Sequence, residues 1–287
     1  MTPTIKDLIA IGGKTLEDSG VENPVFDAET LLSFETGFDK QQLFMNWGKE
    51  AEDLLRGRYF DLINRRANGE PLQYITGEQY FMGYRFSVDP SVLIPRPETE
   101  LLAEKAIAYI KSHENVKSIL DLCTGSGALA ICISKAIPGA KIMASDISDH
   151  ALNTAKKNAC ELGADSQIDF IKSDVFEGIR SEEIDRKFDL IVTNPPYIRS
   201  KDIANLQREI YEHEPVLALD GGVDGLDFYR RIASESDVFL NENACIMTEI
   251  GFDQAADISA IFISKGFKNP EISQDISGFD RIIKVLK

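Results

Sequence analysis

Between about residue 116 and residue 250 the chain alternates short apolar runs with helical stretches, and this alternation restricts the fold more than any other feature. VKSILDLC reads as a strand and GALAICISKAI as a helix; KIMASD is again a strand, and ALNTAKKNACELG a helix ending at a glycine C-cap. IDFIKSD, FDLIVTN and ACIMTEIG extend the strand series, with the helical stretch LDFYRRIASESDVFL before the last of them. Alternation of this kind predicts an α/β fold, a parallel sheet with helices on both faces. The end departs from the pattern. After the helix FDQAADISAIFISKGF come NPEISQDIS and FDRIIKVLK, two strands joined through Gly278, which predicts a C-terminal antiparallel hairpin.

The first part of the chain has a different period. Residues 1–74 place apolar side chains at helical spacing in Ile5, Leu8 and Ile9, in Leu31 and Leu32, and in Leu54, Leu55, Tyr59, Leu62 and Ile63. Gly12-Gly13, Asn23-Pro24 and Asn68-Gly69 read as punctuation, so a small domain of four or so helices is expected. Over residues 75–97, aromatic and β-branched residues flank Met82-Gly83, predicting a β-hairpin, and Pro90, Pro95 and Pro97 then forbid continuous helix. This segment reads as a linker. Thr99 or a neighbour is expected to cap the next helix, which opens the main domain over residues 98–287.

Composition narrows the function classes. No apolar run among the 287 residues approaches the roughly 20 needed to span a bilayer, and the N-terminus lacks the apolar stretch of a signal peptide, so a cytoplasmic protein without membrane partners is expected. Cys123, Cys132, Cys160 and Cys245 are scattered, without a C-x-x-C pair, and only three histidines are present; neither disulfides nor a metal are expected. A net charge of −16 opposes binding to phosphate backbones, and direct nucleic-acid binding is not expected.

Ligands of such sheets bind beyond the carboxyl ends of the strands. The first strand end is Asp121-Leu122-Cys123-Thr124-Gly125-Ser126-Gly127, where the glycines allow a tight turn and close approach of backbone to ligand. Gly125-x-Gly127-x-x-Ala130 also fits the dinucleotide fingerprint, so the loop alone does not separate NAD from S-adenosylmethionine. Asp146, at the second strand end, offers a carboxylate to both hydroxyls of a ribose. At the third, Asp174 is placed to accept from an adenine amino group, with Val175 or Phe176 lining the base.

The fourth strand end, Asn194-Pro195-Pro196-Tyr197, is the most specific; a random chain would contain this tetrapeptide on the order of once in several hundred chains. An amide or exocyclic amine is a poor nucleophile because its lone pair is delocalised. The Asn194 side-chain oxygen and the Pro195 carbonyl can each accept one N–H of a target NH₂, turning the nitrogen lone pair towards a sulfonium methyl. Pro196 stiffens the turn, and Tyr197 offers a flat wall to a planar group. Asn194 is thus the expected catalytic residue and touches both substrate and cofactor. The chemistry is methylation of a planar nitrogen; the tetrapeptide does not choose between adenine and glutamine.

With these motifs the chain resembles the protein-(glutamine-N5) methyltransferases that act on peptide chain release factors. The resemblance runs through Pro71-Leu72-Gln73-Tyr74-Ile75-Thr76-Gly77, Leu93-Ile94-Pro95-Arg96-Pro97-Glu98-Thr99-Glu100, the glycine loop and Asn194-Pro195-Pro196-Tyr197. It continues through Glu214-Pro215, Ala218-Leu219, Gly221-Gly222 and Asp224-Gly225-Leu226 to Asp280-Arg281. It implies a Rossmann-like class I methyltransferase sheet behind a helical domain that recognises the release factor. It also implies S-adenosylmethionine as cofactor and the glutamine of the factor's Gly-Gly-Gln motif as acceptor. In its terms positions 123–127, Asp146 and Asn194 hold cofactor and substrate. Two departures stand out: the family's loop commonly opens with glycine where this chain has Cys123, and an aromatic is frequent at the position of Val175.

The main alternative is an adenine-N6 methyltransferase acting on a flipped base. It needs a basic cleft, whereas residues 1–75 hold 13 acids against 8 bases. A non-catalytic cofactor-binding scaffold leaves the pairing of Asn194 with Asp146 unexplained, and a dehydrogenase lacks a catalytic His or Lys at a strand end.

Overall fold

The computed structural model describes residues 2–181 and 186–287, which form two compact units: Met1–Gly77 with Gln207–His213, and Glu78–Leu206 with Glu214–Lys287.

In the helical unit the helices are Ile5–Asp18, Pro24–Thr36, Lys40–Met45, Asp53–Ala67 and Leu72–Thr76, around a core of Leu8, Leu16, Leu31, Leu32, Tyr59 and Ile63. Two expectations are corrected. Gly12-Gly13 does not interrupt the chain: it lies inside the first helix, where the missing side chain of Gly12 lets Tyr59 pack against the backbone. Leu54 is exposed, because the buried face of its helix passes through Tyr59, Leu62, Ile63 and Arg66. Arg66 is itself buried, its Nε donating to Asp27 Oδ2 at 2.7 Å and its Nη1 to Glu209 Oε2 at 2.6 Å. Glu209 lies on the short helix Arg208–His213, so one buried guanidinium pairs with the buried Asp27 and the partly exposed Glu209.

The second unit begins with the hairpin β1 (Glu78–Phe81) and β2 (Tyr84–Ser87). Met82 and Gly83 both have positive φ, as a two-residue hairpin turn requires. Its main sheet contains β3 (Ser118–Leu122), β4 (Lys141–Asp146), β5 (Ile168–Lys172), β6 (Phe188–Thr193), β7 (Leu240–Glu249), β8 (Lys268–Gln274) and β9 (Asp280–Leu286), in the order β5-β4-β3-β6-β7-β9-β8. β3 to β7 are parallel, and β9 joins β7 antiparallel with β8 outside it. The chain order reverses between β3 and β6, so the carboxyl ends of β3, β4 and β6 open onto the switch point.

Period-two alternation splits the strands between two cores. Ile119, Ile142, Leu190 and Met247 pack with the helices Pro97–Ser112 and Ala128–Ala136; Leu120, Met143, Ile191 and Ile246 pack with Tyr229, Ile232 and Phe262 on the other face. Thr99 does not cap its helix. Arg96 holds the N-cap position with Pro97 as the first helical residue, and Thr99 is the third, within the first turn, with its side chain buried. Among the described residues no helix is long and apolar enough to cross a membrane.

Candidate active site

The glycine turn is held from below and from the side. Asp121, fully buried at the end of β3, accepts from the Thr124 hydroxyl at 2.6 Å and the Ala130 amide at 3.1 Å through Oδ2. Burial raises its carboxyl to about 7, against these hydrogen bonds, which lower it. Asp146, at the end of β4, reaches across: Oδ2 accepts the Gly125 amide at 2.9 Å, and Oδ1 the Ser148 amide at 2.9 Å. Burial also raises the Asp146 carboxyl. Gly125 has φ 55° and nothing within 4 Å of where a Cβ would stand, so its ligand-facing side is open. Gly127 has φ 83°, and a Cβ there would press on Ala155 and Ile131 at 3.1 Å.

Cys123 and Val175 also have positive φ, 59° and 51°. Left-handed backbone explains why glycine suits position 123, and cysteine there costs on the order of 1 kcal/mol. Burial pushes the Cys123 thiol well above its ordinary range, so it is a neutral side chain at physiological pH.

A cavity of about 160 Å³ opens over these strand ends. Cys123, Thr124, Gly125, Ser126, Asp146, Asp174, Val175, Asn194 and Pro196 line it, joined by Thr99 and Arg96. Asp121, Gly127, Pro195 and Tyr197 do not. Asp121 lies under the turn, Gly127 is packed against Ala155, and Pro195 is buried. Tyr197 packs against the core beneath the sheet, its hydroxyl donating to Glu249 Oε1 at 3.2 Å. The ring therefore braces the turn from behind; no wall of the cavity is made by it.

Four residues that sequence reasoning missed, or left without a role, complete the site. Arg231, on the helix Asp227–Glu235, donates from Nη1 to Asp174 Oδ1 at 2.7 Å and from Nη2 to its carbonyl at 3.3 Å. Arg96 is paired with the buried carboxylate of Glu214. Thr99 donates to Glu249 Oε2 at 2.6 Å and accepts from Asn194 Nδ2 at 3.0 Å. Glu249 is 1% exposed, and burial raises its carboxyl to about 7. Arg96 and Thr99 lie in the Leu93–Glu100 motif already tied to the family resemblance, whereas nothing in the sequence set Arg231 or Glu249 apart. Among the described residues no group of three or more His, Cys, Asp or Glu is placed to hold a metal.

A parallel sheet closed by an antiparallel hairpin, with a glycine turn, an acid and an Asn-Pro-Pro-Tyr turn at adjoining strand ends, defines a methyltransferase of the Rossmann-like class. A methyltransferase from Pyrococcus furiosus shares this fold, with a TM-score of 0.51 at 16% identity over 72% of this chain and 90% of that one. Residues 99–222 match the family model of the methyltransferase small domain, and residues 7–77 that of the PrmC N-terminal domain. The chain is 38% identical to the release factor glutamine methyltransferase of Clostridium acetobutylicum, over 99% of this chain and 98% of the relative. It is 41% identical to that of Geobacter sulfurreducens, over 93% and 91%. The chain belongs to the release factor glutamine methyltransferase family.

Proposed function

We propose that the chain transfers a methyl group from S-adenosylmethionine to the side-chain amide nitrogen of the glutamine in the Gly-Gly-Gln motif of peptide chain release factors, in the cytoplasm where these factors serve the ribosome. The observation that carries this reading is the Asn194 amide, whose Nδ2 is tied to Thr99 at the edge of the cavity. That tie leaves the carbonyl oxygen as the group Asn194 offers to an incoming N–H.

The residues present suit the cofactor. The open face of Gly125 admits a ligand against the backbone. Asp146 keeps lone pairs for ribose hydroxyls while its backbone hydrogen bonds fix its orientation, and Asp174 and Val175, which line the same cavity, are the residues we assign to the adenine. Ser126, Thr124 and Cys123 line the same cavity as Asn194. When bound, S-adenosylmethionine supplies an electrophilic methyl on a sulfonium.

The protein's part is orientation. Asn194 Oδ1 and the Pro195 carbonyl each accept one N–H of the glutamine amide and turn its nitrogen lone pair out of resonance. Positioning of this kind supplies several kcal/mol of the barrier, and the two acceptors strengthen as positive charge develops on nitrogen. No strong general base is required, since the methylated amide nitrogen is strongly acidic until its proton leaves.

Replacing Asn194 with Ala tests this directly. Methyl transfer should fall by at least about 100-fold while cofactor affinity holds; a fully active variant removes Asn194 from the mechanism.

A further inference from the structure

Asn194 is the first residue beyond β6, and Glu249 is the last residue of β7. The two strands are parallel neighbours, paired up to Thr193 and Thr248, so their carboxyl ends emerge side by side. Thr99 bridges them from the first turn of the helix Pro97–Ser112. Thr99 and Glu249 are 6% and 1% exposed, so water competes little for their polar atoms.

A side-chain amide is nearly symmetric in shape and entirely asymmetric in chemistry. Rotated by half a turn, Asn194 would present an NH₂ group to the substrate amide and repel the N–H it should accept. Something must fix its sense. A hydroxyl has one hydrogen, and the Thr99 hydrogen is committed to Glu249 Oε2 at 2.6 Å. What the Thr99 oxygen has left is acceptor capacity, which matches only the NH₂ side of Asn194, found at 3.0 Å. Glu249 in turn is kept in place by a second donor, the Tyr197 hydroxyl at 3.2 Å on Oε1, and Tyr197 belongs to the same turn as Asn194. In its ionised form the buried carboxylate of Glu249 therefore holds the Asn-Pro-Pro-Tyr turn through both oxygens, one by way of Thr99 and one by way of Tyr197.

We propose that Thr99 and Glu249 are positioning residues of the reaction: the Glu249–Thr99 hydrogen bond fixes the rotation of the Asn194 amide so that its oxygen faces the methyl acceptor. This inference rests on the reading of Asn194 as the group that orients the acceptor amide.

The experiment uses the full chain with a purified release factor and compares Thr99→Val, Thr99→Ser and Asn194→Ala. Valine has the shape of threonine without the hydroxyl, so the packing stays and the hydrogen-bonded relay goes. The expected result for Thr99→Val is a fall in kcat of roughly 10- to 100-fold, the scale of losses from small misplacements of a reacting group. Cofactor Kd and release-factor KM should stay near wild type, the melting temperature should fall only modestly because valine leaves the buried Glu249 Oε2 without its donor, and Thr99→Ser should restore kcat. Wild-type kcat in Thr99→Val beside an inactive Asn194→Ala would overturn the relay and leave the role of Asn194 standing. Full activity in Asn194→Ala would overturn both. A kcat loss in Thr99→Val that is matched by lost cofactor binding and a lowered melting temperature, and not recovered by serine, would reduce Thr99 to a packing role.

Discussion

Asp146 Oδ2 accepts the backbone N–H of Gly125 at 2.9 Å, so the acid at the end of β4 holds the glycine turn at the end of β3. The two features read separately in the sequence as ribose acceptor and ligand cradle are one hydrogen-bonded unit. Asp146→Ala should therefore do more than remove a ribose contact, because it also frees the turn. Cofactor affinity, measured by calorimetry, should fall by roughly 100-fold, the scale of two charge-assisted hydrogen bonds. Unchanged affinity would take Asp146 out of the site.

Arg231 acts on Asp174 through a pair in which each side chain is 37% exposed. A pair this exposed contributes less than about 1 kcal/mol to stability. Arg231→Ala should accordingly leave the melting temperature within a degree or two. Its effect should appear instead as a several-fold weaker cofactor affinity, as Asp174 loses its fixed orientation. A large drop in melting temperature with unaltered affinity would assign the pair to the fold rather than to the pocket.

Gly12 faces Tyr59 so closely that a Cβ would stand 2.2 Å from the phenolic oxygen, which donates to the Ala28 carbonyl at 3.3 Å. Alanine is normally the better helix former by about 1 kcal/mol. Here Gly12→Ala should destabilise the helical unit, by about 2 kcal/mol from overpacking, with a visibly lower denaturation midpoint. An unchanged or raised midpoint would show that Tyr59 moves aside freely.

These residues also show what can and cannot be read from a sequence. β4 was legible to the residue, and β3 and β6 nearly so, because a strand buried on both faces is a continuous apolar run with polar ends; β7 begins four residues before the expected ACIMTEIG, because its opening stretch, Asn241-Glu242-Asn243, is polar. The glycine turn and the Asn-Pro-Pro-Tyr turn were legible because backbone demands restrict which residues serve there. Gly12-Gly13 was misread because glycine carries two meanings, chain break and close approach, and only the partner Tyr59, 47 positions on, tells them apart. Of the expectation that Thr99 or a neighbour caps this helix, the neighbour holds: Pro97 sets the start, Arg96 takes the N-cap position, and Thr99 is left free to bond across the sheet. Arg231 and Glu249 were hidden for a different reason. A charge on an amphipathic helix or at a strand end reads as solvated, whereas the pairing of Arg231 and the burial and pairing of Glu249 depend on contacts across 57 and 150 positions.

The buried carboxyl of Glu249 has a consequence for stability. Desolvation raises it to about 7, opposed by hydrogen bonds from Thr99 and Tyr197; nearby Glu98 adds to the rise, and Arg281 offsets it. An unfolded glutamate titrates near about 4.3. Between these values the folded chain keeps a proton that the unfolded chain has lost, so this group's contribution is full below about pH 4 and declines as pH rises through about 7. Glu249→Gln cannot ionise and escapes that decline. The melting temperature of the variant minus that of wild type should therefore increase from pH 4.5 to about 7 and then level off. Asp121, also raised to about 7, is common to both proteins and cancels in the difference. A flat difference would mean that Glu249 ionises inside the fold as readily as outside.

One assay identifies the acceptor most directly. Purified enzyme and methyl-labelled S-adenosylmethionine are mixed in parallel with a release factor, with the same factor carrying Ala in place of the Gly-Gly-Gln glutamine, and with duplex DNA. Label is expected on the unaltered factor alone, at the amide nitrogen of that glutamine. Label on DNA, or equal label on the factor lacking the glutamine, would contradict it.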